Sequence, residues 1–234
     1  MNISDTVTKY RPEVRGETAL RLQKIGGMLI EKNKVMNLTA ITDEKGVALL
    51  HIYDSLTLAD TGLFDGAKSV IDVGCGGGFP SLPLAVYLPE CMVTANDATA
   101  KKLAFVAEAA AEAGCNNLLT LCGRAEELSR LPEYREKYDI AVSRGVARLN
   151  VLCEWCLPFV KPGGYFIAMK GEKGAEETKE AKNAIALLGG ELVDIINVTI
   201  PEFGYLHTLA VIKKKTFTPG TYPRQNGKIT KKPL

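Results

Sequence analysis

No stretch of the chain approaches the roughly eighteen consecutive apolar residues that a membrane-crossing helix needs. Met1-Asn2-Ile3-Ser4-Asp5 also lacks the basic-then-apolar form of an export leader. The six cysteines, Cys75, Cys91, Cys115, Cys122, Cys153 and Cys156, are scattered, several within apolar runs. With no leader they are expected to be free thiols in a reducing cytoplasm. Cys153-Glu-Trp-Cys156 has no second pair to complete a metal site and falls in a helix-like apolar segment, which argues against a metal or redox role. No Gly-Lys-Ser/Thr is present to hold a nucleotide triphosphate, and no internal repeat is evident. The last twenty-two residues contain no acid at all.

What is present is a chain of 234 residues, 46% apolar, enough for one domain with a small appendage and a single sizeable core. Its most informative stretch is Ser69-Val-Ile-Asp-Val73-Gly74-Cys-Gly76-Gly-Gly78-Phe79-Pro80. An apolar run ending in spaced glycines, then more apolar residues, reads as a buried strand, a tight turn and a helix start. Phe79 stands where a dinucleotide fingerprint in this register wants its third glycine, which argues against NAD. The loop is either a site where backbone closely approaches an adenosine-bearing ligand or an ordinary turn. The form G-x-G-x-G after Asp-Val is the first motif of S-adenosylmethionine (SAM)-dependent methyltransferases, a superfamily this chain resembles.

Around that stretch the pattern is regular. Residues 1–66 read as amphipathic helices placed before the cofactor domain, with His51 and Asp54 three apart on one helical face, either a structural hydrogen bond or part of a site. Strands are expected at Ser69–Val73, Met92–Asn96, Leu118–Leu121, Tyr138–Val142, Tyr165–Met169, Leu192–Ile200 and Tyr205–Ile212, the first six separated by helices and the last two joined by a short hairpin. Lys161-Pro-Gly-Gly164 is expected to be a turn, Val146–Phe159 and Thr178–Leu188 helices, and Lys101 and Lys102 outward-facing. This is an α/β, Rossmann-like, mostly parallel seven-stranded sheet with an antiparallel last strand and an N-terminal helical extension. The organisation expected is extension 1–66, SAM-binding domain 67–215, and basic tail 216–234 on or beside it.

Asp97 follows Gly74 by 23 residues, where an acidic group would take the two ribose hydroxyls of an adenosine cofactor. Gly123-Arg-Ala125-Glu126 follows the third strand, where such folds meet the adenine ring. Arg144 directly follows the fourth strand, and Lys170 ends the fifth, on the crevice side of an open sheet. After the fourth strand there is neither Asn/Asp-Pro-Pro-aromatic, used on exocyclic amines, nor the Pro-Cys of pyrimidine C5 methylation. A ring nitrogen with a free lone pair needs no base, so this weakly favours a purine ring nitrogen. From Lys213 onward seven lysines and arginines leave the rest of a net +2 chain at −5, which suits a polyanionic partner or a solvated tail.

The ordered set Asn37-Leu-Thr-Ala40, His51-x-x-Asp54-Ser-Leu56, Asp72-Val-Gly74-x-Gly76-x-Gly78-Phe79-Pro80, Lys101-Lys102-x-x-Phe105, Arg124-x-Glu126, Ser143-Arg144-x-Val146-Ala147, Lys170-Gly171, Tyr222-Pro-Arg224 and Lys232-Pro-Leu234 spans nearly the whole chain. It resembles the bacterial glucose-inhibited division protein B family, SAM-dependent methyltransferases of N7 of one guanine in 16S ribosomal RNA. The resemblance implies SAM held by Gly74, Gly76, Gly78, Phe79, Asp97, Thr99, Ala125, Glu126 and Arg144. Arg144 and Lys170 would orient the base or a neighbouring phosphate, and His51, Arg148, Arg224, Lys228 and Lys232 would contact RNA. The partner implied is 16S rRNA or a small-subunit particle, with no membrane; a monomer is expected. Departures from the family pattern stand at Ser81, Ala98, Gly145, Leu206 and Gln225-Asn226. A small-molecule methyltransferase and a non-catalytic ribosome-binding assembly protein are the alternatives.

Overall fold

The computed structural model describes residues 1–234 except the side chains of Tyr205 and Asn226. Seven strands, β1 (Ser69–Val73), β2 (Met92–Asp97), β3 (Leu118–Cys122), β4 (Tyr138–Arg144), β5 (Val160–Lys170), β6 (Gly190–Ile200) and β7 (Tyr205–Lys214), form one sheet in the order β3-β2-β1-β4-β5-β7-β6. β1 to β5 are parallel, and β7 runs antiparallel to both β5 and β6. Strand order reverses between β1 and β4, the point where open α/β sheets bind ligands beyond their carboxyl ends. The register aligns Val73 with Asn96 and Asp97 with Cys122, so the loops after β1, β2 and β3 leave the sheet at one level.

The helices are α1 (Ile3–Tyr10), α2 (Glu17–Asn33), α3 (Glu44–Gly46), α4 (Asp54–Leu56), α5 (Ser81–Tyr87), α6 (Ala100–Glu112), α7 (Ala125–Leu128), α8 (Leu149–Cys156), α9 (Gly174–Glu180), α10 (Lys182–Leu187) and α11 (Asn226–Lys231). Because successive strand residues face opposite sides, Val70 and Val93 join one core with Ile3, Leu22, Phe105 and Val106. Ile71 and Val73 join a second core with Leu152, Phe159, Phe166 and Ile185 on the other face. The N-terminal helices are therefore part of the first core. Arg11, itself buried, fastens α1 by a two-pronged ion pair with Asp60 (2.9 and 2.6 Å). Among the described residues no helix is long and apolar enough to cross a membrane.

Three local expectations are corrected. The segment Lys161–Gly164 lies inside β5: Tyr138 pairs with Val160 but Ile140 with Tyr165, so the turn residues form a bulge rather than an end. The helix expected over Val146–Phe159 begins only at Leu149, because Arg148 is extended and the Glu177 carboxylate takes the Leu149 N–H at 2.8 Å. The helix expected over Thr178–Leu188 starts earlier, at Gly174, and is divided at Ala181. Cys153 and Cys156 are free and fully buried, and burial raises both thiols, so neither is a reactive thiolate.

Candidate active site

The glycine loop is tied to its neighbouring strand: Gly74 and Cys75 both donate their N–H to the Asn96 carbonyl at 2.9 Å. Its glycines serve different ends. A Cβ on Gly78, at φ +89°, would lie 2.4 Å from Leu82 Cδ1, so this position lets α5 pack against the loop. A Cβ on Gly76, at φ +56°, would meet nothing within 4 Å; the backbone there borders open space. Asp97, at the end of β2, accepts from Gly76 N at 3.1 Å and from Thr99 N at 2.8 Å, which fixes its carboxylate against the loop.

Two cavities meet at this point. One, of about 140 Å³, is bounded by Asn96, Asp97, Ala98, Arg124, Glu126 and Trp155. The other, of about 470 Å³, is bounded by Gly76, Phe79, Lys102, Thr39, His51 and Arg144. Gly74, Asp97 and Val146 border both. Glu126 Oε1 and Trp155 Nε1 are buried with no partner among the described residues, and burial raises the Glu126 carboxyl. An orphan acceptor and an orphan donor beside the smaller cavity suit a ligand with both kinds of polar edge, as an adenine has. The Asp97 carboxylate and the open backbone at Gly76, both bordering the larger cavity, complete a set that fits SAM.

Beyond the loop stands a network centred on Arg144, whose guanidinium is anchored in the elements before β1. Val47–Tyr53 is a π-helix, a rare form often found at functional sites. It brings His51 and the Leu50 carbonyl to Arg144, with Asp54 following directly at the start of α4. Arg144 Nη1 donates to Asp54 Oδ2 and to the Leu50 carbonyl, both at 3.0 Å, and Nη2 donates to His51 Nδ1 at 3.0 Å. A guanidinium can only donate, so His51 Nδ1 is the acceptor and its proton sits on Nε2, which donates to Thr39 Oγ1 at 2.8 Å. Burial, and then the charge of Arg144, push the imidazole down to about 3, so His51 is neutral. Its ring stacks on Phe79 with centroids 4.9 Å apart. Asp54 is fully buried, and its second oxygen accepts from His207 Nδ1 on β7 at 2.8 Å.

The GidB family model, described as rRNA small subunit methyltransferase G, matches residues 20–202. The chain belongs to the GidB family. A ribosomal RNA small subunit methyltransferase G of Alkaliphilus oremlandii is 46% identical over 92% of this chain and 90% of its own length. Another, of Lactobacillus delbrueckii subsp. bulgaricus, is 40% identical over 99% and 98%. Solved structures share the GidB chain's fold at low identity. A Bacillus cereus O-methyltransferase in complex with SAH has TM-score 0.58 at 17% identity, covering 81% of this chain and 90% of that one. TYW2 of Methanococcus jannaschii in complex with AdoMet has TM-score 0.50 at 19%, covering 69% and 76%.

Of the residues singled out in this GidB sequence, Gly74, Gly76, Phe79, Asp97, Ala125, Glu126, His51 and Arg144 line the two joined cavities; Gly78 and Thr99 support them from behind. Lys170 is not among the lining residues. Its ammonium donates to the Ala147 carbonyl at 2.7 Å and pairs with Glu177 at 2.9 Å, which holds the loop before α8. Arg224 is held in a fork by fully buried Glu154, through Nε at 2.9 Å and Nη2 at 2.7 Å, so it straps the tail to α8. Lys214 is fully buried against Glu136 and Lys215 pairs with Glu191. Lys213, half-buried, lies with its ammonium 5.7 Å from the Tyr165 ring centroid, which leaves Lys228, Lys231 and Lys232 as the exposed cations, on and after α11. Arg148 is 64% exposed and ion-paired with Glu180. Lys102, expected outward, borders the larger cavity. Sequence reasoning missed His207, Trp155 and Val146 as site residues: His207 and Trp155 lie inside a strand and a helix, away from any strand-end motif, and Val146, though within the motif after β4, carries an apolar side chain with no chemistry to mark it.

Proposed function

We propose that this chain transfers a methyl group from SAM to the N7 atom of one guanine in 16S rRNA, acting in the cytoplasm as a monomer on the RNA or on a small-subunit particle. The observation that carries the reading is the continuity of the Gly74–Asp97 cofactor cavity with the wall formed by Phe79, His51 and Arg144. When bound, SAM supplies a methyl group on a sulfonium, which a ring-nitrogen lone pair displaces without a base. Asp97 and the open backbone of the glycine loop hold the nucleoside part, with Glu126 and Trp155 at its purine end. Arg144, immobilised by Asp54 and His51, orients the target through its planar fork of donors. Neutral His51 adds no positive charge where the methylated base becomes a cation. Lys228, Lys231 and Lys232 supply sequence-independent attraction to phosphate.

Incubation with methyl-labelled SAM and 16S rRNA, naked and within particles, tests the reading. Label on RNA is the expected result. A protein that binds SAM yet labels neither RNA form would be a small-molecule methyltransferase instead.

A further inference from the structure

Arg144 stands between two cavities, and only one of them is accounted for by a methyl donor. Behind it lies a cavity of about 340 Å³ bounded by Ile41, Leu50, Asp54 and His207, which shares His51, Arg144 and Gly145 with the 470 Å³ cavity. Gly145 is the gap in that shared wall: a Cβ built there would meet nothing within 4 Å. The volume falls within the ~300–1,000 Å³ of small-ligand pockets. Its lining joins apolar surface from Ile41 and Leu50 to the polar edges of Arg144 and His207.

The donor count at Arg144 says what such a ligand must offer. Three of its five N–H groups are engaged by Leu50 O, Asp54 Oδ2 and His51 Nδ1. Nε–H and one Nη2–H have no partner among the described residues, and Nε and Nη2 share one edge of the planar guanidinium. That edge takes an acceptor. Guanine presents O6 there, where adenine presents an amine, a donor facing donors. A donor on N7 would occupy the lone pair that must react, so O6 is the productive contact.

We propose that this cavity receives the unpaired guanine of the RNA, and that Asp54 is the positioning residue that selects it. By taking the outer edge of Arg144 together with His51, buried Asp54 turns the Nε–Nη2 edge to the base. His207, donating to the other Asp54 oxygen, fixes the carboxylate in turn. Ile41 and Leu50 supply the apolar surface for the ring of an extruded base. The proposal rests on the rRNA methyltransferase reading, but its test does not need turnover.

The test is direct binding of GMP and AMP to the full chain loaded with S-adenosylhomocysteine, followed by NMR. GMP should bind more tightly than AMP by about 5- to 150-fold, the range of a specific base contact. Ile41→Trp, which fills the cavity, should weaken GMP at least about tenfold, on the same scale, while S-adenosylhomocysteine affinity stays within a factor of about two. Asp54→Asn should collapse the GMP-to-AMP ratio towards one, whereas a merely structural role would leave the ratio intact. If Ile41→Trp fails to bind S-adenosylhomocysteine, Leu50→Phe replaces it as the filling variant with the same expectation. Equal GMP and AMP binding by the wild type, no GMP binding, or a ratio unchanged in Asp54→Asn overturns the proposal. Guanine N7 methylation alongside such a result would leave the function standing and remove only the pocket.

Discussion

Asp72 lies beneath the glycine loop with no exposure to solvent, and its titration should be visible in the stability of the whole protein. One carboxylate oxygen accepts from Ser81 N at 3.1 Å at the start of α5, and the other has no partner among the described residues. Burial, opposed in part by that hydrogen bond, pushes the group from its ordinary 3.8 up to about 7. A carboxyl whose folded pKa is raised binds its proton more tightly in the folded state. Its contribution to stability is therefore complete below 3.8, falls as pH rises, and is gone above about 7. At about 1.4 kcal/mol per pH unit the full span is worth about 4 kcal/mol, of which about 3 kcal/mol is lost between pH 5 and pH 8. The perturbation is Asp72→Asn, and the assay is urea denaturation of both proteins at several pH values in that range. The stability difference between them should drift by about 3 kcal/mol in favour of the variant as pH rises. Parallel curves, or a drift of the opposite sign, would refute the assignment of a buried, under-bonded carboxyl at this position.

Four further outcomes are expected. Asp97→Ala should weaken SAM binding by about 10- to 150-fold in calorimetry, since charge-assisted hydrogen bonds contribute about 1.5–3 kcal/mol; an unchanged affinity removes Asp97 from the cofactor site. Arg144→Lys, lacking the planar fork, should lower the methylation rate at saturating SAM at least about tenfold, and a wild-type rate would dismiss Arg144. Arg224→Ala should destabilise the fold by about 1.5–3 kcal/mol by removing the guanidinium fork on buried Glu154, with little change in the salt dependence of RNA binding. Replacing Lys228, Lys231 and Lys232 together by alanine should do the reverse, reducing the slope of log affinity against log salt by up to about 2 with the melting temperature kept.

The contrast between Arg224 and those lysines shows where sequence reading stops. The count of seven positive charges after Ile212 is correct, yet a sum of charges carries no information on which are neutralised. Glu154 and Glu136 lie far away in sequence and become partners only through the packing of α8 and of the β3–β4 connection against the tail. Residues beside strand ends were legible because an apolar run followed by Gly74, Asp97, Gly123 or Arg144 fixes their place on the carboxyl edge of the sheet. His207 was not, since it meets Asp54 across 153 residues through the one strand that runs antiparallel to its neighbours. Spacing did put His51 and Asp54 on one helical face, but the π-helix and the start of α4 bring both to Arg144, so they meet through the arginine rather than each other. Lys170 lies outside the lining of the cavities for a related reason. A strand end aims a side chain at the crevice only if nothing nearer attracts it, and Glu177 does.

The central claim is that one crevice, with SAM at Asp97 and the target at Arg144, methylates a single guanine at N7. The most direct test is borohydride and aniline cleavage of 16S rRNA, which breaks the chain at N7-methylguanosine, after reaction with purified protein and SAM. One cleavage site that appears only with SAM, and forms at least about tenfold more slowly with Arg144→Lys, is the result predicted. Methyl label in the RNA without cleavage, or cleavage at many guanines, would contradict it.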